Sequence, residues 1–573
     1  MMRSIAVVGA GQSGGQLALG LLRHGYQVTL VSDRTPEEVR SGPVMSSQCM
    51  FDSALQTERE LGLNQWEELA PKIDGISYRV LGSDGAALMS WTGDLDHYAQ
   101  SVDQRVKCAA WIEQFIASGG TFINATADVE QLESLADTHD LVVVSSGKGE
   151  LGSLFARDAA KSPFDAPQRA LALTYVTGMT PSDEGSPVRF NVAPGIGEYF
   201  VFGALTTTGV CDIMVFEGVP GGPMDCWDDV TTPQEHLACS LAILREHFPH
   251  EYARCANVLL TDDGGVLRGR FAPTVRKPVG ALPSGAAVLG MGDAVILNDP
   301  ITGQGSNNAA KFADFYLQSI LDRGEHAFDE IWMRATFDRY WRGWSQWVVG
   351  WTNSLLTTPP NAAESLMAAA GQVPSLARAL ANGFDDPRAY YPWWFDSREA
   401  SSFIEAMRRE DAAVFDARDL RSAFSQYATG ITVVTAQGSD APIGMTANSF
   451  TSVSMDPPLV LWCPGKNSPS TAQFKAASHF AINVLARDQH DLSRQFATPA
   501  DDKFAGVEIE LGRGNVPLIK GALARFQCRT VNTYDAGDHL IMVGEIEAYD
   551  ASDGEPLVFH SGRYHVATLH PDT

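Results

Sequence analysis

Ile5-Ala6-Val7-Val8-Gly9-Ala10-Gly11-Gln12-Ser13-Gly14 decides how the first part of the chain is read. An apolar run leads directly into Gly-x-Gly-x-x-Gly. Ile5 to Val8 should form a buried parallel strand, Gly9 to Gly14 a turn, and Gln16 to Arg23 a helix. Gly25 marks the end of that helix, and Val28 to Val31 form the next strand. Each glycine has a physical task. Gly9 permits a tight turn, Gly11 lets backbone approach a pyrophosphate, and Gly14 lets helix and strand pack closely. The free N–H groups of the helix start favour phosphate charge. A glycine-rich chain (52 glycines) can produce this motif by chance, but the strand before it and the helix after it argue for nucleotide binding. An acid is expected after the second strand to hold a ribose. Ser32 occupies the usual place and Asp33 follows one residue late, with Arg34 as an alternative ribose or phosphate contact.

Working outward, Val106 to Ala117 reads as a helix, and Leu141 to Val144 as a central strand ending at Ser145-Ser146-Gly147. From about Ala170 to Phe216 the pattern changes to strands rich in Val, Phe and Thr, suggesting a second lobe over about 170–280. Ala286 to Leu289 returns to the first lobe. Gly292-Asp293 follows, then Asp299-Pro300-x-x-Gly303-Gln304-Gly305-x-Asn307-Asn308 and the helix Ala309 to Ile320. The early and late motifs together read as two ends of one flavin site. Asp293 can accept from a ribityl hydroxyl, and the N–H groups at Gly303 to Gly305 can face a pyrimidine carbonyl. Residues 326–351 are helical in pattern and crowded with aromatics, among them Trp332, Phe337, Tyr340, Trp344 and Trp351. These should pack on the sheet; a contribution to an aromatic substrate pocket is the alternative.

The chain has 573 residues, enough for two or three domains. Its net charge of -27 disfavours nucleic acid and anionic membranes as partners. The eight cysteines form no CxxC pair and no zinc-like spacing with histidine, so no metal is expected. Sparse cysteines and a start that reads as strand, without an apolar leader, suggest a cytoplasmic protein. No apolar stretch reaches membrane-spanning length.

Residues 3–400 resemble the FAD-dependent aromatic hydroxylase superfamily, and within it the epoxidase component of styrene and indole monooxygenases. The residues carrying the resemblance are Ile5 to Gly14, Gly25-Tyr26-x-Val28-Thr29-Leu30, and Asp299-Pro300-x-x-Gly303-Gln304-Gly305-x-Asn307. It implies an α/β Rossmann-like FAD-binding domain with a sheet-containing substrate lobe. It places Gly9, Gly11, Ser13, Gly14, Asp33, Arg34, Asp293, Pro300, Gly303, Gly305 and Asn307 around FAD. Single-component hydroxylases carry Asp-Gly after the strand occupied here by Leu141 to Val144; this chain has Ser146-Gly147. That departure fits an enzyme whose flavin is reduced elsewhere. The family segment matching Arg40 to Gln48 passes near the isoalloxazine. Ser46, Ser47 and Gln48 are its polar candidates for catalysis, and plain loop is the alternative.

The remainder divides into a linker at 401–414 and a second domain at 415–573. Its strands are expected at Ile431 to Thr435, Leu459 to Cys463, Phe480 to Leu485, Ala522 to Thr530 and His539 to Ala548. Strands at this spacing read as a small barrel. Gly444-Met445-Thr446-Ala447-Asn448-Ser449-Phe450, Ser468-x-Ser470-Thr471, Phe480-x-Ile482-Asn483-Val484-Leu485, Gly537-Asp538-His539 and Gly562-x-Tyr564 resemble short-chain flavin reductases of two-component monooxygenases. The resemblance implies a β split barrel, usually dimeric. It places flavin against Thr446, Ala447, Asn448 and Ser449, and phosphate against Ser468, Ser470 and Thr471. Asn483 and Tyr564 complete the flavin set, and His539 orients nicotinamide or flavin.

Both resemblances imply one activity. The second domain reduces FAD with NADH. The first domain uses a flavin C4a-peroxide to epoxidise a styrene-like alkene or indole. The partners implied are a small aromatic substrate, oxygen and a second copy of the chain. Aromatic ring hydroxylation and a non-enzymatic flavin-binding redox sensor are the alternatives. The tryptophan-rich motif and lysine of flavin halogenases are not seen.

Overall fold

Strand Ser4–Val8 lies at the centre of a six-stranded sheet, parallel to Gln27–Ser32 on one side and Leu141–Val144 on the other. Ile5, Ala6 and Val7 have no exposed surface, as expected of a strand covered on both faces. The computed structural model of the protein describes residues 3–147, 150–182, 185–412, 417–439, 441–500 and 502–570. It separates into two units, Met1–Ala413 and Val414–Thr573, each taken here by itself.

In the first unit the sheet order is Val279–Ala281, Ala287–Gly290, Leu141–Val144, Ser4–Val8, Gln27–Ser32 and Thr121–Asn124. Only the edge strand Val279–Ala281 runs antiparallel to its neighbour. The first helix spans Gln12–Arg23, starting earlier than Gln16. Gly14 is inside its first turn because a side chain there would collide with the strand end: a Cβ would sit 1.9 Å from the Gly9 carbonyl oxygen. Helix Gln304–Arg323 packs beside it, with Gly20 under Leu317.

An eight-stranded sheet forms the second lobe. Its main path is Leu259–Leu260, Ala170–Thr177, Gly209–Gly218, Gly197–Thr206, Val188–Ala193, Lys72–Leu81 and Ala87–Gln100, with Val266–Gly269 pairing to Ala170–Thr177. The hairpin Lys72–Leu81/Ala87–Gln100 is not apparent from sequence. Glycine, serine and aspartate interrupt its alternation, and helix Pro374–Asn382 covers it at Gly93.

The aromatic segment forms helix Glu330–Tyr340, a π-helical turn Trp341–Ser345 and helix Gln346–Leu355. Phe337, Tyr340, Trp344 and Trp351 are buried, and Tyr340 stacks on Phe312 with ring centroids 4.0 Å apart. These aromatics are packing residues.

The expected linker requires correction. Residues 401–412 belong to helix Ser397–Ala412, whose Ala400 and Ile404 are buried in the same core as Leu366 and Leu376. The run Arg408-Arg409-Glu410 is the exposed face of that helix, and Asp411 accepts from the Ser375 N–H at 3.1 Å. Residues 413–414 lie outside the described residues.

The second unit has a seven-stranded antiparallel sheet ordered Pro442–Ala447, Thr432–Gln437, His479–Val484, Ala524–Ala536, His539–Ala551, Pro458–Trp462 and Thr451–Met455. Irregularities at Gln527/Cys528 and Thr530/Asn532 interrupt its longest ladder. Val434, Trp462, Phe480, Ile482 and Met542 form the core. Among the described residues, no helix is long and apolar enough to cross a membrane, and no cluster of His, Cys, Asp and Glu could hold a metal ion.

Replacing Gly14 by Val should destabilise the first unit by about 1–3 kcal/mol, the usual cost of overpacking. Denaturant unfolding followed by fluorescence should show a lower midpoint for that unit and an unchanged transition for the second. An unaltered midpoint would contradict the close contact.

Candidate functional site

Gly9 has φ +108, and a Cβ there would lie 2.7 Å from Ser145 Oγ. The Ser145 hydroxyl faces the carbonyls of Val8 and Gly9 at 3.1 and 3.0 Å. Gly9 and Gly14 are therefore glycines for packing within the protein. Gly11 differs, because a Cβ there would meet nothing within 4 Å. Gly303 (φ +64) and Gly305 face open space in the same way. Gly11 caps helix Gln12–Arg23, and Gly303 caps helix Gln304–Arg323. Neither cap makes a side-chain hydrogen bond, and neither first turn contains an acid. Two helix starts thus present N–H groups and positive dipole ends toward one space.

That space is a cavity of about 450 Å³. Gly11, Gln12, Ser13, Asp293, Gly303 and Gly305 supply polar lining. Leu171, Leu173, Phe190, Phe200, Phe202 and Val215 of the second sheet, with Phe384, supply apolar lining. Phe190 packs on Phe200 and Phe384, with centroids at 4.5 and 5.4 Å. Ser46, Ser47 and Pro300 also reach the cavity. The polar lining offers donors for an anion, and the apolar lining suits an uncharged aromatic ring.

The segment 43–51 is held from several sides. Val44 N–H donates to the Gly264 carbonyl at 2.9 Å, and Tyr175 hydroxyl to the Ser46 carbonyl at 2.9 Å. Gln104 Nε2 donates to Ser46 Oγ at 3.0 Å, which in turn donates to Gln48 Oε1 at 3.1 Å. Beneath the first helix, Lys107 Nζ and Gln12 Nε2 each lie 2.8 Å from Glu58 Oε1, all three side chains buried. This fixes Gln12 at the cavity floor.

Three expected site residues have other work. Asn307 donates to the carbonyls of Cys49 and Gly303 at 2.8 and 2.9 Å and accepts from Phe51 N–H at 2.8 Å. Its whole amide joins the long helix to segment 43–51. Gln48 is buried and donates to the Val102 carbonyl at 2.6 Å, so it supports Ser46 from behind the cavity wall. Asn483 has no exposed surface; it donates to Val433 O and Thr435 Oγ1 and accepts from Ile519 N–H. Asp33 and Arg34 follow the second strand 3.7 Å apart, Asp33 exposed and Arg34 against the Met45 sulfur.

Beside the cavity, Glu217 has no exposed surface and Asp299 almost none. Glu217 is two residues along the strand from Val215 and opposite Leu171, both cavity residues. Burial drives the Glu217 carboxyl well above its ordinary range, and the negative charges of Asp299 and Glu198 add to this against the pull of Arg169. Burial also raises Asp299. Burial and the neighbouring negative charge both favour the neutral form of Glu217.

In the second unit, Thr446 and Ala447 end strand Pro442–Ala447, with Asn448 exposed and Ser449 Oγ accepting from Cys463 N–H at 2.9 Å. Thr446 Oγ1 donates to the Ser493 carbonyl at 2.6 Å, and Ser493 Oγ lies 3.1 Å from the Tyr564 hydroxyl. Ser493, part of the Leu492-Ser493-x-x-Phe496 stretch that also carries the reductase resemblance, thus links Thr446 to Tyr564. His539 starts its strand beside Gly465, with Nδ1 2.7 Å from Asp538 Oδ1. Lys466 N–H donates to the Asp538 carbonyl, which brings His539 to the loop carrying Ser468, Ser470 and Thr471. Thr471 is buried and donates to the Gly465 carbonyl at 2.6 Å; this fixes the loop.

The site residues passed over in the sequence are Gln104, Phe190, Phe200, Phe202 and Phe384. Phe200-x-Phe202 and Leu171-x-Leu173 carry the one readable signal, alternation that puts both members on one sheet face.

A cavity bordered by two glycine-capped helix starts in one unit, beside a strand-rich second unit, is the arrangement expected of a flavin oxygenase joined to a reductase. Comparisons with known proteins agree. Residues 424–568 match the "Flavin reductase like domain" family, and residues 147–254 match "Styrene monooxygenase A putative substrate binding domain". Residues 4–43 match "NADP oxidoreductase coenzyme F420-dependent", a stretch that runs from the first strand through the second strand and the short helix Pro36–Ser41. The second unit is similar to FMN reductase (NADH) SmoA of Agrobacterium fabrum: 46% identity over 166 residues, 28% of this chain and 95% of the relative. It is similar also to the reductase subunit HsaB of a Mycobacterium tuberculosis flavin-dependent monooxygenase: 38% over 156 residues, 27% of this chain and 83% of HsaB. The first unit is similar to styrene monooxygenase StyA of Pseudomonas fluorescens: 29% over 403 residues, 67% of this chain and 92% of StyA. The chain belongs to the flavin reductase family through its second unit and joins it to a styrene monooxygenase-type unit. It is a flavin-dependent monooxygenase with reductase activity in the same polypeptide.

Glu217 supplies a pH-linked prediction. Its folded-state pKa is raised, so it contributes stability below the ordinary glutamate value of about 4.3 and loses it as pH rises toward the folded value. Glu217→Gln should therefore gain melting temperature relative to wild type as pH rises from about 4.3. Parallel melting curves across that range would contradict a buried, protonated Glu217.

Proposed function

We propose that the second unit reduces FAD with NADH, and that the cavity of the first unit uses reduced FAD and oxygen to epoxidise a styrene-like alkene or indole. The observation that carries this reading is the cavity itself, lined by two glycine-capped helix starts and by an aromatic wall. FAD fits these donors. Gly11 and Ser13 N–H groups would hold its diphosphate, Asp293 a ribityl hydroxyl, and the Gly303 to Gly305 backbone its pyrimidine edge. Bound FAD supplies oxygen activation, which no side chain here provides. Phe190, Phe200, Phe202 and Phe384 would bind the substrate ring and exclude water. Ser46 and Ser47 would border the reacting edge, oriented by Gln48 and Gln104.

In the second unit, Thr446 to Ser449 and Ser468, Ser470 and Thr471 would hold flavin, with Tyr564 alongside and His539 orienting NADH. We read the first sheet as Rossmann-like and the second unit as a split barrel. The strand orders above support both readings, and the family relationship supports a homodimer formed by that unit. Asp33 and Arg34 are the proposed contacts for the adenosine end. Eight free thiols are in keeping with a cytoplasmic protein.

Two variants of the full chain test this division. Gly305→Trp projects into open space, so the fold can accept it while the flavin edge cannot. It should abolish epoxide formation and leave NADH-driven flavin reduction within about twofold. His539→Ala should slow anaerobic flavin reduction about tenfold, the effect of one lost hydrogen bond. It should spare epoxidation driven by chemically reduced FAD. Equal loss of both activities in either folded variant would refute the assignment.

A further inference from the structure

Cys226 and Cys239 have sulfurs 3.2 Å apart, and neither belongs to the cavity lining or to the second unit. Cys226 is exposed on the loop that follows strand Gly209–Gly218, and Cys239 is half-buried on helix Pro233–His247. Both elements are fixed. Met224 and Trp227, on either side of Cys226, are buried in the core of the second lobe. Asp225 accepts from Gly221 N–H at 2.8 Å and pairs with Arg270, which also lies 3.2 Å from Asp228. The helix starts at a capping box in which Thr232 and Glu235 bond each other's backbone. A thiol pair held by anchored backbone on both sides meets repeatedly without a large entropy loss.

We infer that Cys226 and Cys239 are a reversible oxidation site, at which a peroxide converts the two thiols to a disulfide tying this loop to helix Pro233–His247. The chemistry balances with hydrogen peroxide as oxidant. Cys226 sulfur, as thiolate, attacks one peroxide oxygen and breaks the O–O bond. It becomes a sulfenic acid, and the other oxygen leaves as water after taking a proton. Cys239 sulfur then attacks Cys226 sulfur, forms the S–S bond and expels the sulfenic oxygen as a second water. Two thiols lose two electrons and two protons, and one peroxide is reduced to two waters. The sulfurs need approach by only about 1.2 Å to reach the ordinary S–S length. Exposure makes Cys226 the thiol that meets peroxide. Burial and the hydrogen bond to Cys226 push Cys239 up to about 12, so it keeps its proton and is not the thiol that reacts first; its 3.2 Å distance from the Cys226 sulfur is what makes it the resolving partner.

The loop also touches the cavity wall. Arg268 donates to the Trp227 carbonyl, and Arg268 and Gly269 line the cavity. Closing the disulfide would brace that wall. Reduced flavin that meets oxygen outside the cavity generates hydrogen peroxide. That source rests on the flavin reading above, whereas the thiol chemistry stands without it.

The test uses the full chain, reduced, freed of reductant and treated with equimolar hydrogen peroxide. Remaining thiols are capped with N-ethylmaleimide and the unreduced digest is mapped by mass spectrometry. The expected product is a linked peptide pair containing Cys226 and Cys239, lighter than the free peptides by two hydrogen atoms. It disappears with dithiothreitol and is absent from Cys226→Ser and Cys239→Ser. Cys463, partly exposed, remains available for capping. Sulfinic or sulfonic acid at Cys226 with Cys239 still capped by maleimide would overturn the site, as would both thiols remaining capped. Peroxide should also raise the melting midpoint of wild type and leave that of Cys239→Ser unchanged. An equal response in both would overturn the bracing role.

Discussion

The first helix can bring its amino end to the end of the first strand only because Gly14 has no side chain. Gly14 rests on the Gly9 carbonyl, and Ser145 closes the same contact from the neighbouring strand. With a Cβ at Gly14 the helix would have to move away, and Gly11 would no longer border the cavity. This packing constraint inside the protein positions N–H groups whose partner lies outside it. Helix Gln304–Arg323, packed beside the first helix, completes the arrangement, again through a glycine cap.

A second set of contacts joins the two lobes of the first unit around that cavity. Segment 43–51 is bound to the long helix by Asn307, to the second sheet by Tyr175, and to the Gly264 loop by Val44. Arg105 strengthens this corner, meeting Asp103 and Asp262 each at 2.8 Å. Many polar side chains near the cavity are engaged with one another, so the helix starts behind Gly11 and Gly303 stand out. The aromatic wall contributes shape and dryness rather than charge.

The parts readable from sequence were those governed by local backbone needs. Gly9, Gly14 and Gly303 declare themselves because a left-handed turn or close packing excludes side chains. The central strands declare themselves as unbroken apolar runs. Side-chain amides do not. Asn307, Gln48 and Asn483 have the chemistry of ligand contacts, but their partners come from segments far away in sequence, such as Cys49, Val102 and Ile519. Nothing at the residue itself tells a backbone partner from a bound molecule. Helix Ser397–Ala412 was obscured by its charged face, although Ala400 and Ile404 already had helical spacing. The Lys72–Gln100 hairpin was hidden because glycines and polar residues interrupt the period of two.

The central claim is that this one chain carries both flavin reduction and oxygen transfer. The most direct measurement supplies the protein alone with NADH, FAD, styrene and isotopically labelled oxygen gas, and analyses the organic product. The account predicts styrene oxide containing the labelled oxygen, formed without any added reductase. Consumption of NADH with all reduced oxygen recovered as hydrogen peroxide, and styrene unchanged even when chemically reduced FAD is supplied, would contradict it.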